Sequence, residues 1–196
     1  MEEPKGIMKW NGKDKCKELL LVHEQGFGDT FQFIRYAEYM SLKGIKCSFY
    51  GPKKLHGIIS TSDHISGCYS NTSELPKNIN YWVAMMSLPS IAGASLNDDK
   101  ITTKPYLCAD RERINKWRNI LRPTNKLRVA IHWQGNPDHE FTIARWRSFT
   151  LTTLQSLISI DNIDWISLQK GPGSEQLEDF PNIWNKSQDI ISDTWD

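Results

Sequence analysis

Two stretches of this chain carry residue types that can do chemistry. The first is His23-Glu24-Gln25-Gly26-Phe27-Gly28-Asp29-Thr30. Gly26 and Gly28 allow a sharp turn and a close approach of backbone to a ligand. A helix opening there offers free N–H groups and a partial positive charge to an anion. Asp29 is suited to cap that helix. A carboxylate held at a helix start is also well placed to take a proton as a general base, and the two roles are compatible. A dinucleotide fingerprint would need a third glycine where Phe31 stands, and no Gly-Lys-Ser/Thr is present for a phosphate loop.

The second stretch is Trp133-Gln134-Gly135-Asn136-Pro137-Asp138-His139-Glu140, followed by Arg145-Trp146-Arg147-Ser148. Guanidinium forks match phosphate oxygens in pairs. Gln169-Lys170-Gly171 lies further on. If all three segments end neighbouring parallel strands, Arg145, Arg147 and Lys170 share one rim of the sheet, a setting shaped for a pyrophosphate. A solvated basic loop paired with Asp138 and Glu140 accounts for the same residues, and spacing alone does not choose. No metal site is expected. His132 and His139 are separated by a loop, and His23 and Glu24 are adjacent and so face opposite sides of a strand. Asp98-Asp99 and the Asp161, Asp164 pair lack the ligand count of a calcium loop. No Gly-x-Ser-x-Gly elbow occurs, which argues against a serine hydrolase.

These loops need elements to hold them. Glu18 to His23 is a short apolar run of the kind found in buried parallel strands. Thr30 to Lys43 has helical periodicity, with Gly44 as its stop. Residues 45–50 alternate like a strand and end at Gly51-Pro52. Strand, turn, helix and strand in that order predict a βαβ unit and an α/β fold. A short helix is expected over 53–60, strands over 64–69 and 80–86, a short helix or turn over 86–93, and a loop over 94–106. Asp110 caps a predicted helix over 111–121. Arg122-Pro123-Thr124-Asn125 then breaks the chain. The pattern restarts with a strand over 127–133, a polar loop over 134–149, a helix over 150–160, a strand over 163–168 and a turn at 169–173. Residues 1–17 read as a lead-in or linker, 18–122 as a first domain and 123–196 as a partial second one. No internal repeat stands out.

Composition narrows the classes further. The chain has 196 residues, 39% apolar and 24% charged, as befits a packed globular protein. Its net charge of +1 gives no bulk attraction to nucleic acid. The longest apolar run, Leu19 to Val22, is far below the ~20 residues of a membrane helix. Met1 to Trp10 holds two acids and no apolar core, unlike a secretory signal. Cys16, Cys47, Cys68 and Cys108 form no Cys-x-x-Cys pair, which fits reduced thiols and a cytoplasmic location.

The segment from His23 to Tyr36 resembles the "EQGxGDxxQFxRY" motif of bacterial glycosyltransferase family 9-like domains. These are relatives of the lipopolysaccharide heptosyltransferases and are often fused behind tetratricopeptide repeats. Further matches follow in order: Met86-Ser87-Leu88-Pro89, Pro105-Tyr106-Leu107, Ile131 to Pro137, Arg147-Ser148-Phe149 and Ser167 to Gly171. The resemblance spans roughly residues 9–173. It implies a GT-B fold, in which two Rossmann-like domains face a cleft. The first would be complete and bind the acceptor; the second, only partly present, would bind a nucleotide-sugar donor. The implied reaction is an inverting, metal-independent sugar transfer to a hydroxyl, needing no cofactor, with Asp29 as general base. Glu24, Gln25, Gly26, Gly28, Gln32 and Arg35 would line the acceptor side. Gln134, Gly135, Asn136, Arg145, Arg147, Gln169, Lys170 and Gly171 would hold the nucleotide and its phosphates. The acceptor would be a glycan, a lipid-linked sugar or a protein. The family's "Asp-Thr-x-x-x-His-Leu-Ala-Gly" segment has no counterpart beyond Asp193-Thr194. The transferase is therefore expected to act only with a missing C-terminal half or a partner chain, and a second expectation stands beside it: a truncated, non-catalytic remnant that binds a phosphorylated ligand or a protein.

Overall fold

A computed structural model describes residues 3–95, 104–121, 123–135 and 148–186. The chain divides into two compact units, Met1–Asn115 and Lys116–Asp196.

Unit 1 is built on five parallel strands: β1 (Met8–Lys9), β2 (Glu18–Val22), β3 (Lys46–Tyr50), β4 (Ile65–Tyr69) and β5 (Tyr81–Ala84). Their order across the sheet is β1-β5-β2-β3-β4. The apolar run of β2 makes it the central strand. Leu19, Leu20 and Leu21 are wholly buried, because a parallel strand flanked on both edges and covered on both faces sees no water. Burying each leucine contributes about 2 kcal/mol. One face of the sheet packs Leu20, Val22 and Tyr50 with Ile79, Trp82 and Ala84.

The helix expected over 30–43 is two helices, α1 (Phe27–Ile34) and α2 (Tyr36–Leu42), meeting at Arg35. The 53–60 segment is a 3-10 turn, Lys53–Leu55, running into α3 (His56–Ile59). The 86–93 segment holds α4 (Leu88–Ile91), with Pro89 in its first turn, where a missing N–H does no harm. Residues 8–10 do not lead up to the fold; they are part of it. Met8 and Lys9 pair with Tyr81 and Trp82, the Trp10 N–H donates to the Trp82 carbonyl at 2.8 Å, and Trp10 is buried. Gly12 follows, at φ +82, against the carbonyl of Ile91.

Helix α5 (Arg111–Ile120) begins where expected: the Asp110 carboxylate accepts the Arg113 N–H at 3.0 Å. The division between the units falls inside this helix.

Unit 2 pairs β6 (Leu127–Ile131) with β7 (Ile163–Ser167), again in parallel. Trp184 adds a parallel bridge beside Ile166 on the far edge of β7. Between the strands runs a 3-10 turn, Leu151–Leu154, continued by α6 (Gln155–Ile158). The core of this unit joins Ile131, Trp133, Leu151, Trp165 and Leu177.

Candidate functional site

In unit 1 the chain leaves β2 and goes to β3 on one side, while β5 lies on the other. In open parallel sheets the crevice at such a reversal, beyond the carboxyl ends of the strands, is where ligands bind. The loop 23–26 and the start of α1 sit there.

Gln25 takes a left-handed backbone, φ 58, a strain of roughly 1–2 kcal/mol for a residue with a side chain. It turns the chain so that Gly26 can cap α1. The Asp29 carboxylate reaches back and its Oδ2 accepts the Gly26 N–H at 2.9 Å. The helix thus starts three residues earlier than Thr30, the start expected from periodicity. Gly26, not Asp29, is therefore the N-cap; Asp29 sits at the third helical position and closes the first turn from inside the helix. Only Oδ2 serves the cap.

His23, at the end of β2, is buried and lies 2.6 Å through Nδ1 from the Thr30 hydroxyl. Burial pushes its imidazole below the ordinary range, because the charged form loses its hydration. The sign of the pH effect follows. The unfolded histidine, near pH 6.5, binds its proton first. Stability is full above that value and falls as pH drops from it toward the lower native one. Thermal unfolding between about pH 5 and 8 should show this loss, and His23→Gln should flatten it. An unchanged slope in the variant would take His23 out of the acid response.

Glu24 ties the two sides of the crevice together: its Oε2 accepts the Met86 N–H, beyond β5, at 3.1 Å. Beside it a cleft of about 330 Å³ is lined by His23, Glu24, Gln25, Lys9 and Trp82 among others. The Lys9 ammonium lies 5.2 Å from the centre of the Trp82 ring. Sequence reasoning missed Lys9 and Trp82. Lys9 sits in a segment without periodicity, and nothing short of the β1–β5 pairing reveals it.

The remaining acceptor-side residues divide. Gly28 has open space around its Cα, and Gln32 is exposed on α1. Arg35 is engaged internally. Its guanidinium lies 4.8 Å from the Tyr106 ring centre and donates to the Tyr106 hydroxyl at 2.9 Å, while that hydroxyl donates to the Phe31 carbonyl at 2.8 Å. Arg35 thereby fastens the segment around residue 106 to the helices.

In unit 2, Gln134, Gly135, Gln169, Lys170 and Gly171 gather at the carboxyl ends of β6 and β7. Gln169 is buried to 1% exposure, and its amide is complete. Oε1 accepts the N–H groups of Trp133 and Gln134, at 3.2 and 3.0 Å. Nε2 donates to the carbonyls of Gln134 and Pro172, at 3.0 and 2.6 Å. An amide has two donors and two acceptor lone pairs, so nothing of it is left for a phosphate. Its side chain laces the loops together. Gln134 packs its side chain against Gly173, at φ +91, where any Cβ would collide with it, and Gln176 donates to its Oε1 at 3.4 Å. The Gly135 N–H donates to the Ser148 hydroxyl at 2.8 Å. Lys170 is exposed and Gly171 is left-handed. Asn136, Arg145 and Arg147 lie outside the described residues.

Among the described residues no group of three or more metal-ligating side chains converges, and no helix is long and apolar enough to cross a membrane. The chain matches no protein-family model, no curated protein and no solved structure.

Proposed function

We propose that this chain is a glycosyltransferase-type domain of GT-B architecture. Unit 1 takes a hydroxyl-bearing acceptor at the crevice between β2 and β5. Unit 2 supplies part of the nucleotide-sugar side, as a second Rossmann-like layer. The observation that supports this reading is the position of the 23–26 loop with the first turn of α1. It leaves the central strand at the topological reversal and carries two carboxylates, Glu24 and Asp29.

In this reading Asp29 uses the oxygen that the cap leaves over. It accepts the acceptor hydroxyl proton while that oxygen attacks the anomeric carbon. The nucleoside diphosphate departs from the opposite face with the bonding pair. Its charge is met by loop cations and N–H groups, of which Lys170 is the described candidate. Lys9, Glu24, Gln25 and Trp82 offer the hydrogen-bonding groups and flat apolar wall that suit a sugar.

A second reading, binding without transfer, draws on one observation. Gln134 and Gln169 spend their side chains inside the protein, which thins the donor side.

Thermal unfolding with a panel of nucleoside diphosphates and ADP-, GDP- and UDP-sugars separates the two. A ligand at 100 times its Kd adds ~2.7 kcal/mol, or about 5–10 °C at this size. A shift with one nucleotide, together with slow release of its diphosphate to water, supports transfer. Asp29→Asn should keep the Gly26 hydrogen bond through its amide oxygen and lose only the charge at the helix start, about 0.3–1 kcal/mol. It should also reduce release by at least a hundredfold. Release unchanged in that variant removes Asp29 as the base. A shift without release favours the binding reading.

A further inference from the structure

His23 is only 8% exposed, yet one of its two ring nitrogens has work left to do. Nδ1 lies 2.6 Å from the Thr30 hydroxyl, and no described residue bonds Nε2. The direction of the first bond decides what Nε2 offers. Thr30 Oγ1 is 3.4 Å from the Gly26 carbonyl, four residues back, where a threonine in a helix ordinarily places its hydroxyl proton. A hydroxyl has one proton to give. With that proton on Gly26, Oγ1 meets His23 as an acceptor. Nδ1 therefore carries the ring proton and Nε2 the lone pair. Burial keeps the imidazole neutral, so the lone pair is present at neutral pH.

The ring borders the cleft shared with Lys9, Glu24 and Trp82. Nδ1 is turned to α1, which leaves Nε2 for the cleft. The other groups there set the charge of what fits. Glu3 and Glu24 bring carboxylates, and Lys9 brings an ammonium. A phosphate or carboxylate on the ligand would bring chiefly acceptors to a lone pair and two carboxylates. A hydroxyl both donates and accepts. It can give its proton to His23 or Glu24 and take one from Lys9.

We infer that His23 is a ligand-binding residue of this cleft, its Nε2 accepting the proton of a sugar hydroxyl, and that the cleft takes an uncharged, hydroxyl-rich part of the ligand. The inference rests on the crevice being the acceptor site, and adds to it a residue and a charge class. It also ties binding to Asp29. The ligand hydroxyl donates to Nε2, Nδ1–H to Thr30, and the Thr30 hydroxyl to the Gly26 carbonyl. Gly26 is the residue whose N–H holds Asp29 Oδ2, at 2.9 Å. Hydrogen bonds in such a chain strengthen one another, so a seated sugar steadies the residue that holds the proposed base.

The test is a proton–nitrogen correlation spectrum of the imidazole rings in the full chain at neutral pH. The His23 signals are assigned by their loss in His23→Gln. The probes are a panel of methyl glycosides of hexoses and pentoses, with inorganic phosphate as the counter-probe. The expected spectrum of the free chain shows a protonated Nδ1 and a bare Nε2. At least one glycoside should move the Nε2 signal saturably, and phosphate should not. Thr30→Val removes the hydroxyl at nearly constant shape. It should leave His23 a mixture of tautomers and weaken glycoside binding about tenfold. The wild-type spectrum decides if that variant fails to fold. A proton on Nε2 in the free chain overturns the inference. So does a signal that follows phosphate instead of sugar, or no response to any glycoside. A glycoside that raises the melting temperature but leaves the His23 signals in place also overturns it, while the crevice keeps its reading as an acceptor site. Transfer is judged separately, by diphosphate release.

Discussion

Gln169→Leu is expected to lower the stability of unit 2 by about 3 kcal/mol, although the two side chains have nearly the same volume. The change strands the N–H groups of Trp133 and Gln134 and the carbonyls of Gln134 and Pro172, all served now by one buried amide. Each unpaired buried group costs about 1 kcal/mol or more. Gln169→Glu keeps the shape but turns an acceptor toward two carbonyls, and should be no better at neutral pH. Tryptophan fluorescence is the readout, because Trp133 and Trp165 are both in the core of this unit. A Gln169→Leu chain that melts with the wild type would mean that the loops hold without the amide. Its ligand-facing role would then be open again.

Gly12→Ala is expected to destabilise unit 1 by about 3 kcal/mol. A left-handed backbone adds roughly 1–2 kcal/mol for any residue with a Cβ. A Cβ here would also lie 2.3 Å from the Ile91 carbonyl oxygen, a backbone atom that cannot swing aside. Gly6→Ala is the control. Its φ is +81, nearly the same, but nothing lies within 4 Å of the position. It should lose only the backbone contribution, about 1 kcal/mol. Equal losses in the two variants, measured by denaturant unfolding, would show that the 8–14 segment is not seated against residue 91.

That comparison marks a limit of reading the sequence. β2 was legible because a central parallel strand must be apolar on both faces, and Leu19 to Val22 are. β1 was not, because two exposed residues have no period to detect; the partner strand makes them a strand. The start of α1 was misplaced because periodicity begins after the cap, while Asp29 and Gly26 close the first turn ahead of it. Asp110 was legible because its cap uses a side chain ahead of a periodic run. In the candidate site, Glu24 and Gln25 line the cleft at the sheet reversal, while Asp29 lies in the first turn of α1, bonded to Gly26. Gln169 was not legible in the same way. An amide near a glycine has the same letters whether it greets a ligand or ties two loops together. Only the count of its satisfied donors and acceptors tells them apart.

The central sheet also carries its own clock. Cys47 lies in β3 with no exposed surface, and burial pushes its thiol far above the ordinary range, so it is inert while the sheet is closed. Cys108 is exposed. Added to the native chain, a thiol-alkylating reagent would mark Cys108 at once and Cys47 only during rare openings of the sheet. The last of four mass increments, after those of Cys108 and the half-buried Cys16 and Cys68, then times how often the sheet of unit 1 comes apart, with no label engineered in, and a ligand seated at the end of β2 would slow it.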